Sequence, residues 1–265
     1  FSLAEVLLEL GQAAEASRYA QGLLARDSEQ LSFFPIDQRE LRYATLHVLG
    51  RAQAGLGQVE EAAQALRQAS EVPVARRSEA LGHLSDIYKE AGNRDAAFTT
   101  LSEALSIDPQ HPRHLFNIGM LHLEAGAFED SRQHFEQVLK VVGEGRTDAR
   151  MRALLNLGFI AKTQGDVDGA EARYLEVLSL EPEHSDARAN LGHLYLSVGR
   201  YADAVTRFEE VLAAEPGLLD IELGLLSALL ALGRWEPERA RQVLTSVPES
   251  GAVPGELSLP AASAP

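Results

Sequence analysis

The chain has 265 residues, a formal net charge of −15 and a pI near 5.0. This charge disfavours nucleic acid as a partner, because such binding depends on Lys and Arg neutralising phosphates. The sequence contains no cysteine, which excludes disulfides, thiolate metal sites and a cysteine nucleophile. No apolar run approaches the roughly 20 residues that span a bilayer, since the longest candidate, 218–232, is interrupted by Asp220 and Glu222.

The composition predicts an all-α fold. Hydrophobic residues make up 45% of the chain, which is enough for a packed core. Alanine, leucine and glutamate are abundant and favour helix, and no segment shows the alternating pattern of β-branched residues that is typical of a strand.

A pair of short amphipathic helices recurs along the chain. The clearest copy, 185–218, has Gly199 between its helices and Pro216 after the second; Gly165 and Pro182 occupy the same positions 34 residues earlier. Such a fixed period indicates stacked repeats. In chain order the predicted units are 1–30 (partial), 43–76, 78–111, 112–145, 151–184, 185–218 and 219–247, the last of which caps the array.

Four local features depart from the regular repeat pattern. Residues 27–35 read as a loop, after which Asp37 is predicted to cap the next helix. Extra residues near 143–150 are expected either to lengthen a turn and the following helix or to form a joint between two sub-arrays. Trp235 is assigned to the terminal cap, and the Pro/Ala/Ser-rich segment 248–265 to a tail or linker.

Side-chain size follows a pattern inside each unit. The eighth and twentieth positions are small, as in Gly192 and Ala204, which is expected to let the two helices of a hairpin approach closely. Large apolar residues at positions 7, 24 and 27 are expected to fill the gaps between hairpins. A proline near the end of several units, such as Pro109, removes the N–H that would continue the second helix.

These residues resemble the tetratricopeptide repeat, whose period is 34. One copy carries the resemblance at Leu191, Gly192, Tyr195, Gly199, Ala204, Phe208 and Pro216. The resemblance covers residues 1 to about 247, although Ser131 and Ala161 depart from the usual Ala and Tyr and are expected to loosen their units. It implies a right-handed α-solenoid of antiparallel helix hairpins, with about seven repeats and a concave groove lined mainly by first helices.

Three of the four asparagines, Asn117, Asn156 and Asn190, occupy the sixth position of consecutive units. In the family this position faces the groove, and an Asn carboxamide can both donate to and accept from the backbone of an extended peptide. The row resembles the asparagine ladder in the tetratricopeptide arm of O-GlcNAc transferases. The alternative is that it reflects family background, because Asn is common at this position.

Other groove positions implied by the resemblance supply further peptide-binding candidates. Phe116, Met120 and Phe159 are interpreted as apolar contacts, because exposed apolar patches tend to mark contact sites. Arg113 and Arg152 are candidates to hold a carboxylate or a phosphorylated side chain. The remaining candidates are His83, Lys162 and His193.

No catalytic, cofactor or metal site is predicted. The eight histidines form no His-Glu-x-x-His pattern, and Gly143 and Gly145 lack the rest of a dinucleotide fingerprint. The leading hypothesis is therefore a non-catalytic module that binds a peptide or partner segment in its groove. Two alternatives stay open: the recruiting arm of a larger glycosyltransferase, sulfotransferase or methyltransferase, and a structural subunit of a secretion, pilus or envelope assembly.

The surroundings of the protein are less specified by the sequence. The absence of cysteine suits the cytoplasm, which is the expected compartment, but is equally compatible with the periplasm. The expected partner is another protein or a peptide, and self-association through the terminal repeats is a further expectation.

Overall fold

The computed structural model describes residues 2–26, 37–144, 147–234 and 237–246. All of the secondary-structure elements within these ranges are α-helices, which confirms the all-α prediction. The loop at 27–35, Trp235 and the segment 248–265 lie outside the described residues. The chain divides into two compact units, an N-terminal unit of residues 1–142 and a C-terminal unit of residues 143–265. The division falls at the insertion, where the sequence left open a joint between sub-arrays.

The described residues of the N-terminal unit form four helix hairpins, α1–α2, α3–α4, α5–α6 and α7–α8. Each second helix contacts the first helix of the next hairpin, so the hairpins stack in chain order. The helices are α1 (Ser2–Glu9), α2 (Ala13–Leu24), α3 (Gln38–Gly55), α4 (Val59–Glu71), α5 (Arg77–Glu90), α6 (Arg94–Ile107), α7 (Pro112–Glu124) and α8 (Phe128–Val142).

The C-terminal unit stacks three hairpins in the same way, and α11 also contacts α13 directly. Its first helix is long: α9 has 17 residues, whereas α11 and α13 have 13 each, as expected if the insertion extends this helix. The helices are α9 (Thr147–Thr163), α10 (Val167–Leu180), α11 (Ser185–Ser197), α12 (Tyr201–Ala214), α13 (Leu219–Ala231) and α14 (Pro237–Ser246).

The ends of the helices follow the sequence signals. The turns within hairpins contain glycines in the left-handed region, such as Gly165 at φ 77° and Gly199 at φ 78°, which residues with a Cβ adopt at a cost. Helix α6 ends at Ile107, two residues before Pro109. Asp37 caps α3 as predicted, its carboxylate accepting a bond of 2.8 Å from the Arg39 N–H.

The two helices of a hairpin approach closely at the eighth position. A Cβ added to Gly158 would lie 2.5 Å from the ring of Tyr174, and one added to Gly192 would lie 2.6 Å from the ring of Phe208. Both rings are fully buried. The prediction that small residues permit close approach is therefore confirmed, and the partner of the eighth position is the large residue at position 24.

Ser131, which replaces the usual Ala, does not loosen its hairpin. The side chain is fully buried, and its hydroxyl donates a bond of 2.8 Å to the backbone carbonyl of Gly119 on the facing helix. In the preceding hairpin Ser85, at the eighth position, donates across to the Ala97 carbonyl at 3.0 Å. Buried hydroxyls are tolerated here because each has a hydrogen-bond acceptor. Ala161, the second expected weak point, packs against the core of the C-terminal unit.

Candidate functional site: a groove in the C-terminal unit

An open groove of about 400 Å³ runs across the first helices of the C-terminal unit. We call it the α9–α11 groove, because these two helices supply seven of its eight lining residues and α13 supplies the other. A groove lined by first helices is the arrangement that the repeat pattern implies. The lining residues are Leu155, Asn156, Phe159, Asp186, Ala189, Asn190, His193 and Asp220.

Two of the three predicted ladder asparagines line this groove. The Asn156 amide donates a bond of 2.8 Å to the carbonyl of Arg152, one turn back on α9, and its side-chain oxygen remains an acceptor. Asn190 is half-buried, and its carboxamide makes no hydrogen bond to the described part of the chain. The α9–α11 groove therefore contains an amide with both of its functions available.

Phe159 is the main apolar surface of the groove. Its side chain is 47% exposed, in contrast to the fully buried rings of Tyr174 and Phe208 in the same unit. It stands at the ninth position of its repeat, one helical turn after Asn156, so the two side chains share a helix face. The exposure of a large ring inside a concave surface agrees with its predicted role as an apolar contact.

The charged residues of the groove are Asp186 and Asp220. The Nε2 atom of His193 lies 4.0 Å from a carboxylate oxygen of Asp220, and the imidazole packs edge-on against Phe208, with ring centroids 5.0 Å apart. Burial, reinforced by the charge of Lys162, lowers the pKa of His193, so its ring is neutral at pH 7. A neutral ring does not offset the negative charge of Asp220.

Two of the predicted binding residues, Lys162 and Arg152, are cationic residues of α9. Lys162 is half-buried, and burial lowers its pKa. Arg152 is exposed. Neither side chain belongs to the lining of the α9–α11 groove.

The corresponding face of the N-terminal unit is occupied by an internal polar network, which we call the Asp86 network. The carboxylate of Asp86 is ion-paired with the guanidinium of Arg113 and accepts a bond of 2.9 Å from the Asn117 amide. The same guanidinium lies 3.2 Å and 3.3 Å from the ring nitrogens of His83. The groups predicted to bind a ligand are thus bonded to one another, and Arg113 already holds a carboxylate of the protein itself.

Burial keeps the histidines beside this network neutral. His47, with its ring centroid 4.9 Å from that of His83, has its pKa lowered by burial to about 4, and the pKa of His83 is lowered, again mainly by burial, to about 2. Burial raises the pKa of Asp86 against the opposing effect of Arg113. Sequence reasoning missed His47 and Asp86; the available signal was His and Asp at groove-facing registers of adjacent repeats.

Phe116 was wrongly assigned to an apolar groove surface. Its side chain is only 9% exposed and packs against the core ring of Phe135, with centroids 5.3 Å apart. At the fifth position of α7 it therefore contributes mainly to the core. Met120, on the same helix, is half-buried.

Within residues 2–26, 37–144, 147–234 and 237–246, no three His, Asp or Glu side chains come together in a way that could hold a metal ion. Over the same ranges, none of the helices combines the length and apolar character required to cross a membrane.

The stacked hairpins define an α-helical repeat protein. Sequence models described as tetratricopeptide repeat match residues 47–112, 88–157, 161–207 and 196–254. The chain therefore belongs to the tetratricopeptide repeat family. Its repeats are of a type that serves in protein–protein interaction, and solenoids use their extended concave surfaces for binding.

Individual relatives are distant. A curated protein described as a BBSome complex member BBS4 homolog, from Drosophila melanogaster, is 24% identical over 172 residues, covering 63% of this chain and 34% of its own length. The chain thus spans about a third of that relative. Among solved structures, PilW, titled a widely conserved type IV pilus biogenesis factor, has a TM-score of 0.68 at 21% identity, over 82% of this chain and 97% of its own.

A second solved structure covers more of the chain. A tetratricopeptide repeat protein from Parabacteroides merdae has a TM-score of 0.64 at 20% identity, over 94% of this chain and 92% of its own. At these identities the likenesses establish the shared helical-repeat fold.

Proposed function

We propose that the protein is a non-catalytic interaction module that holds an extended segment of a partner protein in the α9–α11 groove. The observation that carries this proposal is the pairing of an exposed aromatic ring with an unengaged amide. Phe159 is 47% exposed, and the neighbouring Asn190 has no hydrogen-bond partner in the described ranges. Together they offer apolar contact and a donor–acceptor pair on one concave surface.

The proposed mechanism uses the two groups differently. The carboxamide of Asn190, with the free oxygen of Asn156, bonds the N–H and C=O groups of the bound segment, which are present whatever its side chains. The ring of Phe159 loses its remaining water contact against an apolar side chain of the segment. Because both groups stand on packed helices, the groove loses little conformational entropy when it binds.

The same role is not proposed for the Asp86 network. A ligand that displaced Asn117 or Arg113 from Asp86 would leave a half-buried carboxylate without its partners, and an unsatisfied charged group is costly. The C-terminal unit is favoured because the polar groups of its groove require no such exchange.

The proposal is tested by selecting peptides on the full chain from a phage-displayed random 12-residue library. The dissociation constants of synthetic copies are then measured for the wild-type protein and for Phe159→Ala and Asn190→Ala. We expect each substitution to weaken binding about tenfold, which corresponds to about 1.4 kcal/mol. The matched control is Leu175→Ala, which removes a 43% exposed side chain from α10, outside the groove.

Helix content by circular dichroism is expected to stay unchanged in all three variants. The proposal is refuted if the library yields no binding peptide. It is equally refuted if the selected peptides bind the two groove variants as tightly as they bind the control.

A further inference from the structure

We infer that the segment held by the α9–α11 groove is basic and presents two Lys or Arg side chains about three residues apart. This inference rests on the proposed function and specifies the chemistry of the partner. The evidence lies in the charges of the groove and in the spacing between the helices that carry them.

The lining of the groove contains two carboxylates, Asp186 and Asp220, and no Lys or Arg. Asp186 is exposed and forms no ion pair or hydrogen bond with the described part of the chain. Asp220 has its side chain 56% exposed and, among the described residues, pairs only with the imidazole of His193, at 4.0 Å. Since that imidazole is neutral at pH 7, both carboxylates present their negative charge to whatever occupies the groove.

The spacing of the two carboxylates sets the spacing of the cations. Both stand at the second position of their first helices, α11 and α13, and these two helices are in direct contact. Axes of packed helices are about 8–10 Å apart. A segment in the extended polyproline II conformation advances about 3.1 Å per residue and has three residues per turn, so side chains three residues apart share one face. Equivalent points on α11 and α13 are therefore about three residues apart along an extended segment.

Two acidic occupants fit this groove poorly. A second copy of the chain carries a net charge of −15, and its approach to two carboxylates that have no Lys or Arg partner among the described residues is opposed by repulsion. Residues 248–265 contain Glu249 and Glu256 but no Lys or Arg. A separate partner with a basic segment satisfies the charges that both of these leave unpaired.

The test uses two fluorescent 12-residue peptide pools that are identical except at positions 5 and 8. These positions carry Lys or Arg in the basic pool and Glu in the acidic pool. Affinity for the full chain is measured by fluorescence polarisation at 50 mM and 300 mM NaCl. We expect the basic pool to bind about tenfold more tightly at the lower salt concentration, and the difference to shrink at the higher one, where screening is stronger.

The double substitution Asp186→Asn with Asp220→Asn is expected to reduce this preference about fivefold to tenfold. The matched control is Asp168→Asn with Glu209→Gln, which makes the same change in net charge at exposed sites on second helices. The control should keep the preference, because only carboxylates in the groove meet the peptide. Phe159→Ala should weaken both pools.

The outcomes separate the inference from the proposed function. Binding that depends on Phe159 but shows no preference between the pools, or keeps its preference after the double groove substitution, overturns the basic-segment inference and leaves the peptide groove standing. Binding of either pool that is indifferent to Phe159 overturns both. Self-association abolished by the groove substitutions, without binding of the basic pool, identifies a second copy as the occupant and overturns the inference.

Discussion

Gly158 shows at the scale of one residue how the repeat is held together. The helix places its Cα directly beneath the ring of Tyr174, so a single hydrogen stands where other residues have a Cβ. The sequence pattern predicted small residues at this position and large ones at position 24. Because both positions recur with the same period as the hairpins, the same contact can form in each hairpin that carries this pair.

Substituting Gly158 by Ala is expected to lower the free energy of unfolding by about 1–3 kcal/mol, the usual cost of overpacking a core. Alanine gains about 0.5–1 kcal/mol in helix propensity, but its Cβ would lie 2.5 Å from a fully buried ring. The measurement is urea unfolding followed by circular dichroism. Gly22→Ala is the control: beyond its own helix, no atom of the described part of the chain lies within 4 Å of the added Cβ, so this variant should be as stable as the wild type or slightly more so.

The loss of stability on substitution also distinguishes core from surface aromatic residues in the C-terminal unit. Phe208 is fully buried and lies against Gly192 and Gly224, so Phe208→Ala should cost about 3–5 kcal/mol of stability. Phe159→Ala should lower the stability by less than about 1.5 kcal/mol, because the side chain is 47% exposed and half of its surface is never removed from water. Thermal unfolding of both variants provides the comparison, and similar losses would contradict the assignment of Phe159 to an open surface.

The groove residues were only partly predictable, for reasons visible in Asn117 and Asn190. Both occupy the sixth position of a repeat, yet one donates to Asp86 of the preceding repeat and the other is unengaged. The register of a helix determines which face a side chain occupies. It does not determine which side chain of the adjacent repeat stands opposite, and that neighbour decides whether an amide is free. Phe116 was misplaced for a related reason, since a bulky ring at the edge of the groove face can turn into the core.

At the scale of helices, the hairpin is defined by its turn. Gly57, Gly92, Gly126, Gly165 and Gly199 all adopt positive φ between the helices of their units. The sequence located these turns because this conformation costs other residues about 1–2 kcal/mol. It did not place the cap residues equally well, since Arg200 precedes α12 without a capping side-chain bond whereas Asp166 accepts from Gly169 before α10.

Replacement of Gly165 by Ala is expected to destabilise the C-terminal unit by about 1–2 kcal/mol, because φ is 77° at this turn. Gly165→Asn should lose less, since Asn tolerates the left-handed region better than Ala does. The added Cβ meets no steric barrier, because apart from the adjacent residues no atom of the described ranges lies within 4 Å of it. Urea unfolding midpoints test the order wild type, Asn, Ala, and an inverted order of the two variants would refute a backbone origin.

For the molecule as a whole, we expect sensitivity to acid to arise mainly from buried histidines of the N-terminal unit. The N-terminal unit buries His47, His83 and His114, whose pKa values fall to about 4, about 2 and about 4, in each case mainly through burial. Their folded pKa values lie below the ordinary value of 6.5, so the stability they permit is complete above pH 6.5. It is lost as the pH falls from 6.5 towards 4, because unfolding then takes up protons.

The expected loss for each of these histidines is at most about 1.4 kcal/mol per pH unit in this range. The raised pKa of Asp86 acts in the opposite direction, but it is one group against these three histidines and His122, whose pKa is also lowered by burial. Hydrogen exchange of α3, α5 and α7 at pH 7.5 and pH 5 measures the effect. His47→Phe should reduce the acid sensitivity, while the control His134→Phe leaves the three imidazoles in place and should not. Equal sensitivity in the wild type and His47→Phe would show that burial of this ring is not the cause.

The Asp86 network also affects how the protein would respond to saturation mutagenesis. Substitutions at Arg113 and Asn117 break bonds that the protein makes to itself, so their damage should register as loss of folded protein. Substitutions at the equivalent positions of a later repeat, Asp186 and Asn190, break no such bonds to the described part of the chain and should spare abundance. A survey that measured only the abundance of folded protein would detect the first two positions, Arg113 and Asn117, and miss Asp186 and Asn190. We expect Asp186 and Asn190 to matter when a partner is present.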